Sequence, residues 1–337
     1  MDLQLQRFSD IDLNDSFFDS LRGSYPEFNE WYNKKATAGA TAYCYYVDNE
    51  LKDFLYLKIE EEELSDLTPV LPAKKRLKVG TLKVDNEDRH TTRGERFMKK
   101  IMDKAIAEDV DEIYVTMFPT EELQGLIRMF EKFGFYHIAD KPHEGGNAEY
   151  VLIKDMTTHI DDFKLDYPFV KKASSNKYVL SIVPEFHTHL FPDSILKNEK
   201  KYDLIQDVSE TNSIYKIYLC WMQGTRNLKA GDKLIIYRTS DEEGKAYYRS
   251  VCTSVCTVCE VKTYRDFENE EEFIKYTNRY SVFKEHELRR WYKYKNNFIV
   301  IKMVYNIAFT KKVISPDRIG QMSVSSAQSA CQKKLAW

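Results

Sequence analysis

The stretch Val84-Asp85-Asn86-Glu87-Asp88-Arg89-His90-Thr91-Thr92-Arg93-Gly94-Glu95-Arg96-Phe97 decides how the first half of this chain is read. Leading into it, residues 76–84 (Arg-Leu-Lys-Val-Gly-Thr-Leu-Lys-Val) alternate in the period of a strand. Leading out of it, Phe97, Met98, Ile101, Met102, Ala105 and Ile106 make one apolar stripe, with Lys99, Lys100, Asp103 and Lys104 opposite. That spacing predicts an amphipathic helix over 93–108. The stretch is therefore a strand end, a short polar turn and a helix start. First turns of helices favour acids, because their open amides present roughly half a positive charge. Arg89, His90, Arg93 and Arg96 crowd this one instead. Two readings are open on these residues alone: solvated surface cations, or an anion such as a pyrophosphate shared by amides and guanidinium groups.

Working outward, residues 3–8 read as a strand, and 14–35 carry Phe17, Phe18, Leu21, Phe28 and Trp31 at helical spacing, broken near Gly23 and Pro26. Strands over 42–47 and 54–59 flank a turn at Asp48-Asn49-Glu50, and an acidic loop follows over 60–72. Beyond the helix come a strand at 112–117, a helix over 121–133 stopped by Gly134, and short strands at 135–138 and 149–153. Helices against a mixed sheet make an α+β layer architecture for residues 1–156. Residues 157–176 lack periodicity and read as a linker. Strands are expected over 178–183, 216–221, 232–238, 247–264 and 298–307, with helices over 186–198, 270–275 and 285–293. That is a β-rich second domain, 177–318, followed by a polar tail, 319–337.

The chain has 337 residues, which suits two domains, and its net charge of −3 excludes a polycation that coats nucleic acid indiscriminately. Met1-Asp2-Leu3-Gln4-Leu5-Gln6-Arg7 lacks the basic head and apolar run of a secretory signal, and no apolar stretch reaches membrane-spanning length. A reducing cytoplasm is the expected setting. Cys252, Cys256 and Cys259 fall within one strand and have no second pair to complete a tetrahedral site, so they are expected as small core residues and no metal is expected.

Residues 84–97 resemble the acetyl-CoA-binding turn of GNAT acetyltransferases, of pattern Arg/Gln-x-x-Gly-x-Gly/Ala. Arg89 matches the first position and Gly94 the last, while Thr92 stands where Gly is usual. The run Leu123-Gln124-Gly125-Leu126-Ile127-Arg128-Met129-Phe130-Glu131-Lys132-Phe133-Gly134-Phe135 is similar to the family's second signature, a helix ending Tyr-Glu-Lys-x-Gly-Phe. The resemblance implies that the main chain of Leu82 and Val84 pairs with the pantetheine arm of acetyl-CoA. It implies too that Arg89, His90, Thr91, Thr92, Arg93, Gly94 and Glu95 hold the pyrophosphate. Where the family often has a proton-donating Tyr, this chain has Phe130. Glu60, Asp85 and Glu87 are the candidates for a general base.

Residues 178–310 resemble the ASCH group of PUA-like barrels, through Leu180-Ser181-Ile182-Val183-Pro184-Glu185-Phe186, Lys200-Lys201-Tyr202-Asp203 and Ala230-Gly231-Asp232-Lys233-Leu234-Ile235-Ile236-Tyr237. Asn198 and Ile205 replace the Gly and Arg of the group's signature. The resemblance implies RNA or modified-base binding. Lys200, Lys201, Arg289, Arg290, Trp291 and Lys293 supply the cations and the flat ring such a surface needs, although the run 289–295 reads equally as an ordinary exposed helix end. Two function classes follow. One is an acetyl-CoA-dependent N-acetyltransferase whose second domain helps select an acceptor, RNA or an RNA-associated molecule. The other is a non-catalytic RNA-binding regulator that senses acetyl-CoA.

Overall fold

The protein is described by a computed structural model over residues 2–85, 92–143, 146–170, 176–194, 213–242, 249–294 and 297–314. Glu87, Arg89, His90, Thr91, Lys200, Lys201 and the tail lie outside the described residues. The chain divides into two compact units, Met1–Thr158 and His159–Trp337.

The first unit runs β1 (Asp2–Arg7), α1 (Asp19–Ser24), α2 (Phe28–Thr37), β2 (Thr41–Val47), β3 (Glu50–Glu60), β4 (Arg76–Val84), α3 (Arg93–Glu108), β5 (Glu112–Met117), α4 (Gln124–Lys132), β6 (Tyr136–Pro142) and β7 (Ala148–Asp155). Its seven strands lie in the order β1-β2-β3-β4-β5-β7-β6. Each neighbouring pair is antiparallel except β4 with β5. The β2–β3 turn uses Asp48 and Asn49 at φ 50° and 67°, the positive values that a tight hairpin matching strand twist demands. α3 stops at Asp109, which takes the left-handed conformation at φ 53°.

Side chains alternate between the sheet faces. On one face Ala42, Cys44, Phe54 and Tyr56 pack with Phe8, Phe18, Phe28 and Tyr32 from α2 and the segments before it, forming an aromatic core. Burying each of these large rings stabilises the unit by about 1.5–3 kcal/mol before entropy is counted. On the opposite face Tyr45 lies under Arg93 and Arg96 of α3, with guanidinium-to-ring distances of 4.9 and 5.2 Å.

The second unit contains β8 (Lys177–Ile182), α5 (Pro184–Leu190), β9 (Tyr215–Cys220), β10 (Lys233–Arg238), β11 (Val251–Thr263), α6 (Glu270–Thr277), α7 (Glu285–Tyr294) and β12 (Ile299–Ile314). The sheet order is β8-β10-β11-β12-β9, with β8 and β10 parallel. Leu180, Ile182, Phe191, Leu234, Ile236, Cys256, Ile299 and Ile301 centre its core. The described strands form an open five-stranded sheet; the closure into a barrel expected from the sequence is not seen among them. Part of the segment expected as a linker packs into this unit. Tyr167 and Val170 are buried, and Asn306 Nδ2 donates to the carbonyls of Pro168 and Phe169 at 3.3 and 3.4 Å.

Candidate active site

The parallel pair β4–β5 is in register from Arg76 opposite Glu112 to Val79 opposite Val115. Beyond that point the strands hold different partners. β4 continues to Val84, paired with Asp53 of β3, while β5 continues to Met117, paired with Tyr150 of β7. Among the described residues the two strands do not pair again, so they splay, and residues 80–84 present an edge with open backbone groups. A bulge marks the divergence: Tyr56 faces Thr81 and Leu57 faces Val79, leaving Gly80 as the extra residue. Gly80 sits hard against Tyr56, whose Cδ1 would lie 2.7 Å from an added Cβ.

The closed end of the pair is pinned by charge. Arg76 is 1% exposed and its Nε donates to Glu112 Oε2 at 2.8 Å; Lys74 reaches the other carboxylate oxygen. One step along, Glu60 accepts from the Tyr114 hydroxyl and from Lys58 Nζ at 2.9 Å, with Lys78 Nζ at 3.8 Å. Burial pushes the Glu60 carboxyl up, but the Tyr114 hydrogen bond, the Lys58 hydrogen bond and the Lys78 and Lys58 charges outweigh it and hold the group below its ordinary range. Burial, and then the bond to Glu60, raises the Tyr114 phenol. Burial lowers Lys78, against the opposing pull of Glu60. As a proton acceptor Glu60 is weak.

The other residues named from the sequence take the following places. Asp85 follows β4; its N–H donates to the Lys52 carbonyl at 2.9 Å and its carboxylate faces Lys52 Nζ at 3.4 Å. Thr92 is buried at the start of α3. Arg93 Nη1 lies 3.5 Å from Asp53 Oδ1, a carboxylate 1% exposed. The Arg93 side chain is thus drawn onto the sheet, and the amides of the α3 first turn are what the helix start offers an anion. Glu95 Oε1 lies 3.6 Å from Lys132 Nζ, tying the start of α3 to the end of α4. Phe130 is fully buried and packs edge-to-face on Phe135 at 4.8 Å.

A cluster that no local pattern announced stands at the open end of β5. Tyr25 Oη donates to Glu149 Oε1 at 2.7 Å, and His143 Nε2 lies 3.5 Å from Glu149 Oε2. Phe118, one residue past β5, packs against both Tyr25 and His143. Burial and then the Glu149 hydrogen bond raise the Tyr25 phenol. The contact between Tyr25 and Glu149 spans a sequence separation of 124, which no periodicity can reveal.

In the second unit, Arg289 is held by acids: Glu271 at 2.7 Å and Glu285 at 2.8 Å. Trp291, on the same helix, stacks on Trp221 with centroids 4.0 Å apart and planes within 6°. Trp221 is 45% exposed and was not singled out by sequence reasoning. Burial pushes the Cys252 thiol up to about 11 and Cys259 up to about 12. Among the described residues no group of three or more His, Cys, Asp or Glu side chains is placed to hold a metal. Nor is any described helix long and apolar enough to cross a membrane.

No protein-family model matches the chain, and no curated protein matches it. Among solved structures, a GNAT family acetyltransferase from Elizabethkingia anophelis with acetyl-CoA bound is similar at 12% identity, over 45% of this chain and 97% of that one, with a TM-score of 0.31. NAA60 of Arabidopsis thaliana in complex with a bisubstrate analogue is similar at 14% identity, over 45% and 98%, with a TM-score of 0.33. The NatC complex bound to Gag peptide and CoA is similar at 16% identity, over 47% and 100%, with a TM-score of 0.30.

Proposed function

We propose that the first unit binds acetyl-CoA and transfers its acetyl group to an amine, and that the second unit engages the acceptor, an RNA or an RNA-associated molecule. The observation that carries this reading is the splayed parallel pair, with the edge of residues 80–84 open and the α3 first turn beginning shortly after it in the chain. An extended amide-bearing arm such as pantetheine pairs naturally with a strand edge, and a pyrophosphate suits the positive end of a helix. Leu82 and Val84 would hold the arm. Thr92, Arg93, Gly94 and Glu95 would hold the pyrophosphate through main chain, together with Arg89, His90 and Thr91.

In the transfer the amine nitrogen forms a bond to the thioester carbonyl carbon and the carbon–sulfur bond breaks. Sulfur leaves with the electron pair and takes up a proton, and the nitrogen sheds one. A backbone N–H on the splayed edge is the kind of donor that would steady the oxyanion. Asp85 and Glu87 remain candidates for the base; Glu60, already committed to three partners, is the weakest of the three. For the second unit, Trp221, 45% exposed and stacked on Trp291, is the flat ring proposed to meet bases, with Arg290 and Lys293 as phosphate partners and Lys200 and Lys201 as further cations.

Phe130 favours a second reading, a regulator that binds acetyl-CoA without turnover, because a buried Phe has no proton to give to the leaving sulfur. One experiment separates the two. Purified protein with acetyl-CoA and a cell-extract amine pool, with and without RNase, is expected to release free thiol stoichiometrically with acetylated product. Tight acetyl-CoA binding with no thiol release from any pool would support the regulator.

A further inference from the structure

We infer that Lys35, Lys58 and Lys78 seat a phosphate group of the acceptor; the inference rests on the acetyl transfer proposed above and names an acidic group that the bearer of the amine carries. Lys58 of β3 is directly opposite Lys78 of β4, and Lys78 is directly opposite Tyr114 of β5. Opposed residues share a face of the sheet, so two ammonium groups stand side by side, a pairing that is destabilising on its own. Among the described residues one carboxylate lies within ion-pair distance of them. Glu60 Oε1 takes Lys58 Nζ at 2.9 Å and Lys78 Nζ at 3.8 Å, while Oε2 is occupied by the Tyr114 hydroxyl. Tyr56, two residues before Lys58 on β3, shares this face, and Lys35 of α2 lies over it at 5.4 Å and over Trp31 at 6.0 Å. No carboxylate among the described residues is within ion-pair distance of Lys35.

The other acids around the cluster are engaged or stand farther off. Asp66 pairs with Lys141 at 3.0 Å, Glu112 holds Arg76 and Lys74, and Glu30 takes Lys34 at 2.7 Å. Glu62 acts on Lys58 only from beyond ion-pair distance. Three ammonium groups around Glu60 leave an excess of two positive charges. A phosphate monoester carries about −1.5 to −2 at neutral pH and matches it, whereas a carboxylate ligand balances only half. Burial lowers both Lys78 and Lys35, and the Lys58 and Lys78 charges lower Lys35 further against the pull of Glu60. The ground is open to a ligand, for the Lys58 side chain is 41% exposed and that of Lys78 27%. Two features assign the phosphate to the acceptor rather than the donor. Lys78 immediately precedes Val79, the last residue of β4 paired with β5, so the cluster adjoins the splay. It also shares the face of the aromatic core, whereas α3, whose first turn is proposed for the donor pyrophosphate, packs over Tyr45 on the opposite face.

The probe is inorganic phosphate, titrated against the full chain at constant ionic strength and followed by the broadening of its phosphorus NMR line, with and without saturating acetyl-CoA. Phosphate is expected to bind the unaltered protein with acetyl-CoA in place. Its affinity is expected to fall about tenfold or more in Lys78→Met and about threefold or more in Lys35→Met, where charge is removed and length kept. Lys35 pairs with no carboxylate, so its replacement leaves the Glu60 network intact and reads the site even where Lys78→Met fails to fold. Thermal unfolding gives a separate reading: phosphate is expected to raise the midpoint of the unaltered protein and to leave that of Lys35→Met less changed. Equal phosphate affinity in the unaltered protein and Lys35→Met would overturn the inference. So would displacement of phosphate by acetyl-CoA, because the anion would then occupy the donor's own site. Acetyl-CoA binding without phosphate binding removes the inference and leaves the transferase reading standing, whereas absence of acetyl-CoA binding removes that reading and the acceptor with it.

Discussion

Glu112→Ala is expected to destabilise the first unit by about 3–5 kcal/mol, because it strands a buried guanidinium. Arg76 is almost wholly enclosed, and Glu112, bonded to its Nε at 2.8 Å, is its one carboxylate partner among the described residues. The neighbouring carbonyl of Pro72, which accepts from Nη2 at 2.7 Å, satisfies a donor but not the charge, so the effect falls toward the lower end of the range. Urea unfolding of the full chain measures it. The double variant Arg76→Met, Glu112→Met is expected to recover most of the loss, since replacing a whole buried pair with apolar residues of similar volume is often close to neutral. A single variant within 1 kcal/mol of the unaltered protein would mean that the closed end of the β4–β5 pair is not held by this ion pair.

Gly80→Val is expected to weaken acetyl-CoA binding by about tenfold or more while costing about 1–3 kcal/mol of stability through overpacking. Its new Cβ would lie 2.7 Å from Tyr56 Cδ1. The Tyr56 ring cannot swing aside, for it is buried and packs edge-to-face on Phe8 at 5.1 Å and Trp31 at 5.7 Å. The strand must give way instead, at the bulge where the edge opens. Gly94→Ala is the control for stability. Its Cβ would meet Met129 Sδ at 2.8 Å, the far end of a flexible side chain, so it is expected to cost under about 1 kcal/mol. Gly80→Val binding acetyl-CoA as tightly as the unaltered protein would separate the bulge from the donor site.

Much of the first unit was legible because its elements carry their own period. The stripe from Phe97 to Ile106 predicted a helix over 93–108, and α3 is Arg93–Glu108. The alternation over 76–84 predicted the strand that is β4. Parallel pairing that ends at Val79 and Val115 could not be read, because it depends on which partner each strand keeps afterwards. The inward turn of Arg93 was equally hidden. Its charge argued for an anion at the helix start, but Asp53 and Tyr45, forty or more residues earlier in the chain, hold the guanidinium. Arg289 behaves alike: a cation in a basic run, satisfied by Glu271 and Glu285 once α6 and α7 are in place. Tyr25 with Glu149 and Trp221 with Trp291 are contacts between distant segments with no local signature. The segment around Tyr167 lacked periodicity because it is irregular, yet irregular chain is buried as readily as regular chain when its backbone groups find partners.

The most direct test of the donor site is a calorimetric titration of the full chain with acetyl-CoA, beside S-acetylpantetheine, which has the arm but no pyrophosphate. Binding of one acetyl-CoA per chain is expected, with acetylpantetheine weaker by about tenfold or more because the amides at the start of α3 lose their anion. No binding of acetyl-CoA by the intact protein would contradict the account.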